Sequence, residues 1–320
     1  MIWISDKFIR ENINYPELIQ ELKLAFRYPV IQSPPKSLYN YSGADDETQN
    51  AFLFMPAWDN KKFLGSKLIT TTPSNASIGK PYIQGLYILF DANNGTPLMG
   101  MDARLATALR TAAVSALAAS YLINKNAGSL LILGNGNLAP FFAKAHLSVH
   151  NYKHIHIWGR NYAKSLTLAE DLKTEGIIIK PIKDYRPFLS EVDVISCITA
   201  SRQPLIEHRD IGIGQHFDLA GSFTPEMQEV STGVVSGSSV FTDNLDVTPN
   251  HAGELAKAFS ESKMTVEDIK GDLFFLCSDE QPKRRSPTEN TLFKSTGMAL
   301  EDLVIAKMIF EKYNQNSITK

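Results

Sequence analysis

Hydrophobic and polar positions follow two textures along this chain. Up to about residue 125 the period is mixed. Residues 15–28 place apolar side chains at Leu18, Ile19, Leu22, Ala25 and Phe26, a helical spacing. Pro34-Pro35 breaks the chain, and residues 51–55 form a short apolar run that Pro56 ends. Residues 67–72 and 82–90 read as strands, the second rich in Ile, Leu and Tyr. Asp91-Ala92-Asn93-Asn94-Gly95 is turn chemistry, because Asn and Gly tolerate positive φ, and residues 97–101 then make the return strand of a hairpin. Residues 105–123 are Ala-rich, carry no Gly or Pro, and predict a long helix.

From Ser129 the chain alternates. A strand at 130–133 meets a glycine turn and a helix at about 140–150, followed by a strand at 154–158, a helix at 163–175 and a short strand near 177–179. Further strands are predicted at 192–198, 217–220 and 240–242. Strands alternating with helices mean βαβ units and a mostly parallel sheet, so the class is α/β. Residues 281–290 read as a polar loop in which Lys283-Arg284-Arg285 is solvated, and the chain closes with a helix at about 298–313.

Length and charge narrow the class. A chain of 320 residues suggests about two domains. Lys and Arg number 32 against 34 Asp and Glu, and a net charge of −2 argues against nucleic acid or an anionic membrane as the main partner. Cys197 and Cys277 are too few for a disulfide framework or a thiolate metal site, and Cys197, in Val194-Ile195-Ser196-Cys197-Ile198, reads as a buried thiol. The N-terminus, MIWISDKFIREN, lacks the pattern of a signal peptide. The apolar stretch 112–123 is too short to span a bilayer and contains Ser115, Ser120 and Tyr121. The expectation is a soluble, cytoplasmic protein.

The glycine turn carries the first chemistry. Leu130-Leu131-Ile132-Leu133 runs into Gly134-Asn135-Gly136-Asn137-Leu138-Ala139, a G-x-G-x-x-A pattern between a strand and a helix. Gly134 permits the tight turn, Gly136 admits a pyrophosphate, and Ala139 lets the helix pack close. The free amides of Asn137 and Leu138 at the helix N-terminus face the phosphates, and Pro140 suits the first turn because its missing N–H costs nothing there. A dinucleotide such as NADPH or NADH is the implied ligand. The second strand ends in Trp158-Gly159-Arg160-Asn161, without the carboxylate that would bind the ribose hydroxyls of NAD. Arg160 either pairs with a 2′-phosphate, favouring NADPH, or is a solvated surface residue. Thr199-Ala200 follows a strand at its C-terminal end, where such sheets bind ligands. Asp243 follows another strand as a cofactor contact or a turn residue. His154 and His156 share a strand face, and no further ligand at suitable spacing points to zinc.

Lys67, on a strand, and Arg110, opening an apolar helix, are charges within apolar segments. They either meet a ligand's carboxylate or pair with a buried acid such as Asp91 or Asp102.

The sequence resembles the ornithine cyclodeaminase/mu-crystallin family from about residue 34 to 313. The resemblance rests on Phe54-Met55-Pro56-Ala57, Gly65-Ser66-Lys67-Leu68-Ile69-Thr70, Leu89-Phe90-Asp91, Thr107-Ala108-Leu109-Arg110-Thr111-Ala112-Ala113 and the glycine turn. Gly253-Glu254-Leu255 and Phe293-Lys294-Ser295-Thr296-Gly297 complete it, the latter resembling the family's segment near the nicotinamide, which implicates Ser295. The resemblance implies a homodimer of two-domain chains. Residues 1–117 with 298–320 would form the dimerisation and substrate domain, and 118–297 the Rossmann-type NAD(P) domain. It further implies that Lys67 contacts the substrate carboxylate or the reacting centre, and that Arg110 anchors the substrate and cofactor region.

The departures are informative. Where cyclodeaminases carry a glutamate before Met-Pro, this chain has Leu53; where they carry a catalytic aspartate before a proline, it has Phe223. Their carboxylate-binding arginine is Lys36. Phe54-Met55-Pro56-Ala57-Trp58 and Gly221-Ser222-Phe223-Thr224-Pro225 resemble the bacterial branch that reduces cyclic ketimines, Δ1-pyrroline-2-carboxylate and Δ1-piperideine-2-carboxylate, to proline and pipecolate. That likeness makes Lys36, Met55, Lys67, Arg110 and Phe223 the expected substrate residues. A cyclodeaminase, an amino-acid dehydrogenase and a non-catalytic mu-crystallin-like binding protein are the competing readings.

Overall fold

In the computed structural model, which describes residues 1–43, 49–60, 62–279 and 281–318, the chain divides into two units, 1–111 with 297–320 and 112–296. The first is built on a seven-stranded sheet. Strand β1 (Ile2–Ile4) precedes two helices, α1 (Asp6–Asn12) and α2 (Tyr15–Arg27). Ser5 and Asn14 start these helices by accepting hydrogen bonds from the amides of Phe8 and Glu17. Strands β2 (Ile31–Gln32), β3 (Ser37–Ser42), β4 (Gln49–Asp59), β5 (Phe63–Thr71), β6 (Ile83–Asp91) and β7 (Pro97–Asp102) follow. Their order is β1-β7-β6-β5-β4-β2, with β3 also on β4; only β1 and β7 are parallel. The turn at Asp91–Gly95 closes the β6–β7 hairpin, with Gly95 at φ +74°.

Pro56 does not end a strand. It lies inside β4 opposite Ser66 of β5. On its other edge β4 pairs with β3 only as far as Phe54 and with β2 only from Trp58, so the missing N–H falls between two partners. Strand β5 also begins four residues earlier than its β-branched stretch suggests, at Phe63.

Helix α3 (Ala103–Leu122) contains the division between the units. At 20 residues it is long and apolar enough to cross a bilayer, longer than the stretch 112–123 suggested, but 83% of its apolar window is buried inside the protein. That burial makes it a core helix.

The second unit holds eight parallel strands. Its elements are β8 (Ser129–Leu133), α4 (Ala139–Val149), β9 (His154–Trp158), α5 (Tyr162–Asp171), β10 (Ile178–Pro181), β11 (Val194–Cys197), β12 (His216–Leu219), α6 (Thr232–Ser236), β13 (Ser239–Thr242), α7 (Gly253–Ser260), β14 (Gly271–Asp272), α8 (Leu273–Leu276) and β15 (Thr291–Lys294). The order is β10-β9-β8-β11-β12-β15-β13-β14. Alternate residues of one strand serve two cores: Leu131 and Leu133 of β8 pack with Ile195, Phe217 and Leu292, whereas Leu130 and Ile132 pack with Ile155, Ile157 and Val194. Burial on both faces explains why β8 reads as the unbroken apolar run Leu130-Leu131-Ile132-Leu133. Cys197 is buried here, and burial pushes its thiol well above the usual range. His156 packs against the ring of Phe188 at 4.3 Å.

The basic run is not a solvated loop throughout. Arg284 is half-buried and donates to the carbonyl oxygens of Leu122, Gln215 and Glu289, joining three segments; the first two carbonyls also accept from the hydroxyl and the amide of Thr291. The chain ends in α9 (Ala299–Ile318), which belongs to the first unit.

Candidate active site

In the second unit the strand order reverses between β8 and β11, the position at which open parallel sheets bind ligands. Gly134 leaves β8 at φ +123°, and a Cβ there would lie 2.8 Å from the carbonyl oxygen of Ile198, just past β11. Glycine is therefore required for the turn to lie against the neighbouring strand end. A Cβ at Gly136 would meet nothing within 4 Å, and Gly136 and Asn137 are exposed. Leu138 starts α4 without any side-chain cap. Uncapped amides behind an open glycine suit a diphosphate, so these residues fit a bound dinucleotide.

The Asn135 amide nitrogen donates to the carbonyl of Asn161 at 2.6 Å and to Ser165 at 2.8 Å, tying the glycine turn to the end of β9. Arg160 is exposed beside it. The Asn161 side chain caps α5, accepting from the Lys164 amide, so its oxygen is engaged within the protein.

Thr199 and Ala200 lie at the same end of the sheet. Glu229 accepts from the Thr199 amide at 2.6 Å, its hydroxyl at 2.9 Å, and the amides of Gly221 at 2.9 Å and Ser222 at 3.2 Å. Lys294, fully buried at the end of β15, donates to Ser222 Oγ at 2.8 Å and lies 3.5 Å from Glu254, which Ser222 also contacts. Burial, reinforced by Glu254 and opposed by Lys294, pushes Glu229 up to about 7. This buried network fixes the loops after β11 and β12, and with them the partly buried Phe223. Asp243 is a hub of the same kind: it accepts from the Thr296 amide at 2.7 Å and from the Ser295 hydroxyl at 3.0 Å. The hydroxyl of Ser295 thus serves the protein itself, and its residue is 2% exposed.

In the first unit, Met55, Lys67, Tyr87 and Met101 form one register row across β4, β5, β6 and β7, all buried. Lys67 Nζ is 2.7 Å from Asp302 Oδ2. Arg110 Nε donates to Asp302 Oδ1 at 3.0 Å, and Arg110 Nη1 to Glu301 at 2.5 Å. Buried acids therefore do lie beside Lys67 and Arg110, but they are Glu301 and Asp302, not Asp91 or Asp102. Asp91 holds its own turn through the amide of Asn93, and Asp102 pairs with Arg104. Burial and the charge of Arg110 pull Lys67 down to about 8, against Asp302 and Glu301. Tyr87 lies over Gly65, and burial pushes its hydroxyl well above the usual range. Lys36 is half-buried just before β3.

Glu229, Glu254, Lys294, Glu301, Asp302 and Tyr87 were not among the expected site residues. The signal that found Lys67, a charge inside an apolar segment, was present for Lys294 and for Glu301-Asp302 as well.

The chain is similar to known proteins over nearly its whole length. The chain is 35% identical over 314 residues to a Delta(1)-pyrroline-2-carboxylate reductase of Colwellia psychrerythraea, covering 97% of this chain and 98% of that one. The structure of Thermococcus litoralis Delta(1)-pyrroline-2-carboxylate reductase, in complex with NADH and L-proline, superposes with a TM-score of 0.91 at 25% identity, over 99% of this chain and 98% of that one. An archaeal alanine dehydrogenase dimer with bound NAD superposes with a TM-score of 0.90 at 25% identity, over 99% and 97%. The ornithine cyclodeaminase/mu-crystallin family matches residues 6–317, and the chain belongs to that family.

Proposed function

We propose that this protein is an NAD(P)H-dependent oxidoreductase that reduces small cyclic 2-imino acids, Δ1-pyrroline-2-carboxylate and its six-membered homologue, to the corresponding amino acids. The observation that carries this reading is the pair of buried cations, Lys67 and Arg110, in a chain that also holds an intact dinucleotide turn. The full-length similarity to a curated reductase supports it.

When bound, the nicotinamide supplies a hydride; Gly134, Gly136, Asn137 and Leu138 would hold its diphosphate. The chain's own residues orient and balance charge. Lys67 and Arg110 offer the substrate carboxylate charge-assisted contacts. A cyclic imine arrives protonated as an iminium, so reduction at carbon needs no acid from the protein. Leu53 and Phe223 are consistent with that economy, because neither can move a proton. The same two residues count against cyclodeamination, which must deprotonate an amine and expel ammonia.

Arg160, exposed at the end of β9 with no carboxylate beside it, favours NADPH over NADH in this reading. The first unit's sheet also presents Trp3, Tyr39, Phe54, Leu64 and Leu86 as exposed apolar side chains on one face, opposite to Lys67. An apolar face of this kind suits a second copy of the chain, and a homodimer is the proposed assembly.

The test is loss of absorbance of NADPH or NADH with chemically generated Δ1-pyrroline-2-carboxylate, and amino-acid analysis of the product. Proline formation stoichiometric with cofactor oxidation is expected. Tight cofactor binding without turnover would favour a binding protein instead. Sedimentation at micromolar concentration tests the dimer.

A further inference from the structure

We propose that Asp302 is the positioning residue of the substrate cations: its single carboxylate holds Lys67 and Arg110 on one counter-ion and sets the spacing at which they meet a ligand. This rests on the reading of the site as one for imino acids.

The geometry is specific. Each oxygen of Asp302 serves one cation, Oδ2 at 2.7 Å from Lys67 Nζ and Oδ1 accepting from Arg110 Nε at 3.0 Å. Lys67 and Asp302 are both 2% exposed, so water does not compete for these contacts. Arg110 is confined further. Glu301 takes its Nη1, and a Cβ at Gly297 would lie 2.7 Å from that same nitrogen, so the guanidinium rests against the backbone leading into α9. Gly297 is at φ +81°, a conformation that suits glycine and permits this approach. Asp302 and Glu301 sit in the first turn of α9, where the helix dipole favours carboxylates.

Removing the charge of Asp302 has two consequences that removal of an ordinary packing residue lacks. Lys67 and Arg110 would repel one another without their shared anion. Lys67 would also lose its nearest counter-ion. The groups facing Lys67 are Arg110 from α3, Glu301 and Asp302 from α9, Tyr87 from β6 and Met55 from β4. Of these, only the two acids hold the ammonium in its charged form. Burial and Arg110 already bring Lys67 down to about 8, so loss of one acid would leave it neutral near neutral pH.

The experiment compares wild type with Asp302→Asn, measuring kcat and KM for Δ1-pyrroline-2-carboxylate and for the nicotinamide between pH 6 and 9. The expected result is at least about a tenfold rise in KM for the imino acid, since an ion pair to the carboxylate is lost. The basic limb of kcat/KM should move down by at least about one pH unit, and KM for the nicotinamide should stay within about twofold. Asp302→Glu should restore the position of the basic limb but not the KM, because it returns the charge at a changed spacing. A merely structural residue would lower the yield of folded enzyme and leave the pH profile in place. An unmoved basic limb, or equal losses for both substrates, would overturn the proposal. Should Asp302→Asn fail to fold, Asp302→Glu alone decides it: an unchanged KM for the imino acid refutes the spacing role. Lysine 15N NMR, with Lys67 assigned through Lys67→Arg, reads the titration of Lys67 without any turnover. If wild type reduces no imino acid, the functional reading fails, while a Lys67 titration that is lower in Asp302→Asn still upholds the shared counter-ion.

Discussion

Gly65→Ala is expected to destabilise the first unit by displacing a buried tyrosine. An ideal Cβ at Gly65 would lie 2.2 Å from the Tyr87 hydroxyl oxygen and 2.8 Å from its Cζ. Real Cβ contacts do not come that close, so the ring or the strand must move. Tyr87 has little room to do so: it is 2% exposed and sits in register between Lys67 and Met101. Overpacking of this kind costs roughly 1–3 kcal/mol. At roughly 2–4 °C per kcal/mol the midpoint should fall by about 2–12 °C. Thermal unfolding followed by circular dichroism reads the effect. Tyr87→Leu supplies the control. Alone it should cost about 2–4 kcal/mol through the cavity it leaves. Combined with Gly65→Ala, the new methyl group occupies part of that space, so the same change should cost about 1–3 kcal/mol less. Additive losses, or a Gly65→Ala protein that melts with wild type, would show that Tyr87 does not lie over Gly65. Activity gives a second readout, because a displaced ring is pushed along the row toward Lys67: kcat/KM for the imino acid should fall while KM for the nicotinamide holds.

Other outcomes follow from single residues. Arg160→Ala should weaken NADPH about tenfold and leave NADH nearly unchanged, the lower bound of a charge-assisted contact at an exposed site; fluorescence titration of both cofactors checks it, and equal losses would refute the phosphate contact. Ornithine with NAD+ should release no ammonia at a useful rate, given Leu53 and Phe223; turnover at ~1–10 s⁻¹ would refute this. Burial holds the His216 imidazole down at about 3, so the unfolded chain binds a proton below ~6.5 that the folded chain refuses. Stability should therefore decline as pH falls from 6.5 toward 3, seen as a lower urea midpoint at pH 5 than at pH 7, with a shallower decline in His216→Gln.

Local features were legible in the sequence and long-range pairings were not. The glycine turn could be read because its chemistry lies within six consecutive residues, each with a local backbone reason. The central strands β8 and β11 were legible because burial on both faces leaves mostly apolar runs, whereas β15, Thr291-Leu292-Phe293-Lys294, carries a polar residue at each end and was not foreseen as a strand. Sequence order did not reveal that β15, formed near the end of that unit, inserts between β12 and β13. Pro56 misled because a proline stops a strand only where its N–H is needed, and that depends on where β2 and β3 stop pairing with β4. Lys67 and Arg110 stood out as charges that had to be compensated, but their partners lie more than 190 residues from Arg110 along the chain. Sequence neighbours offered Asp91 and Asp102, which have their own local partners. Likewise Asn161 and Ser295 belong to segments at the cofactor end, yet the side-chain oxygen of each bonds within the protein.

The charge count of that compensation bears on which ligands the site accepts. The fully buried charges of this cluster, Lys67, Arg110, Glu301 and Asp302, are two cations and two anions, all 4% exposed or less, and their sum is zero; the half-buried Lys36 is reached by water and stands outside this sum. A ligand that is itself an anion would leave one uncompensated negative charge where water cannot screen it, at a cost of several kcal/mol. A protonated cyclic imine with its carboxylate is a zwitterion and leaves the sum unchanged, as does the amino acid once its amine, neutral after hydride transfer, has taken up a proton from water. We therefore expect the site to discriminate by net charge among rings of the same size. L-proline and tetrahydrofuran-2-carboxylate test this, since the second replaces the charged ring nitrogen by oxygen and is otherwise close in shape. As competitive inhibitors against Δ1-pyrroline-2-carboxylate at pH 7, the anion should bind at least about 100-fold more weakly, the equivalent of about 2.8 kcal/mol. Equal inhibition would mean that the ligand carboxylate displaces Glu301 or Asp302 from the cations instead of joining a neutral cluster.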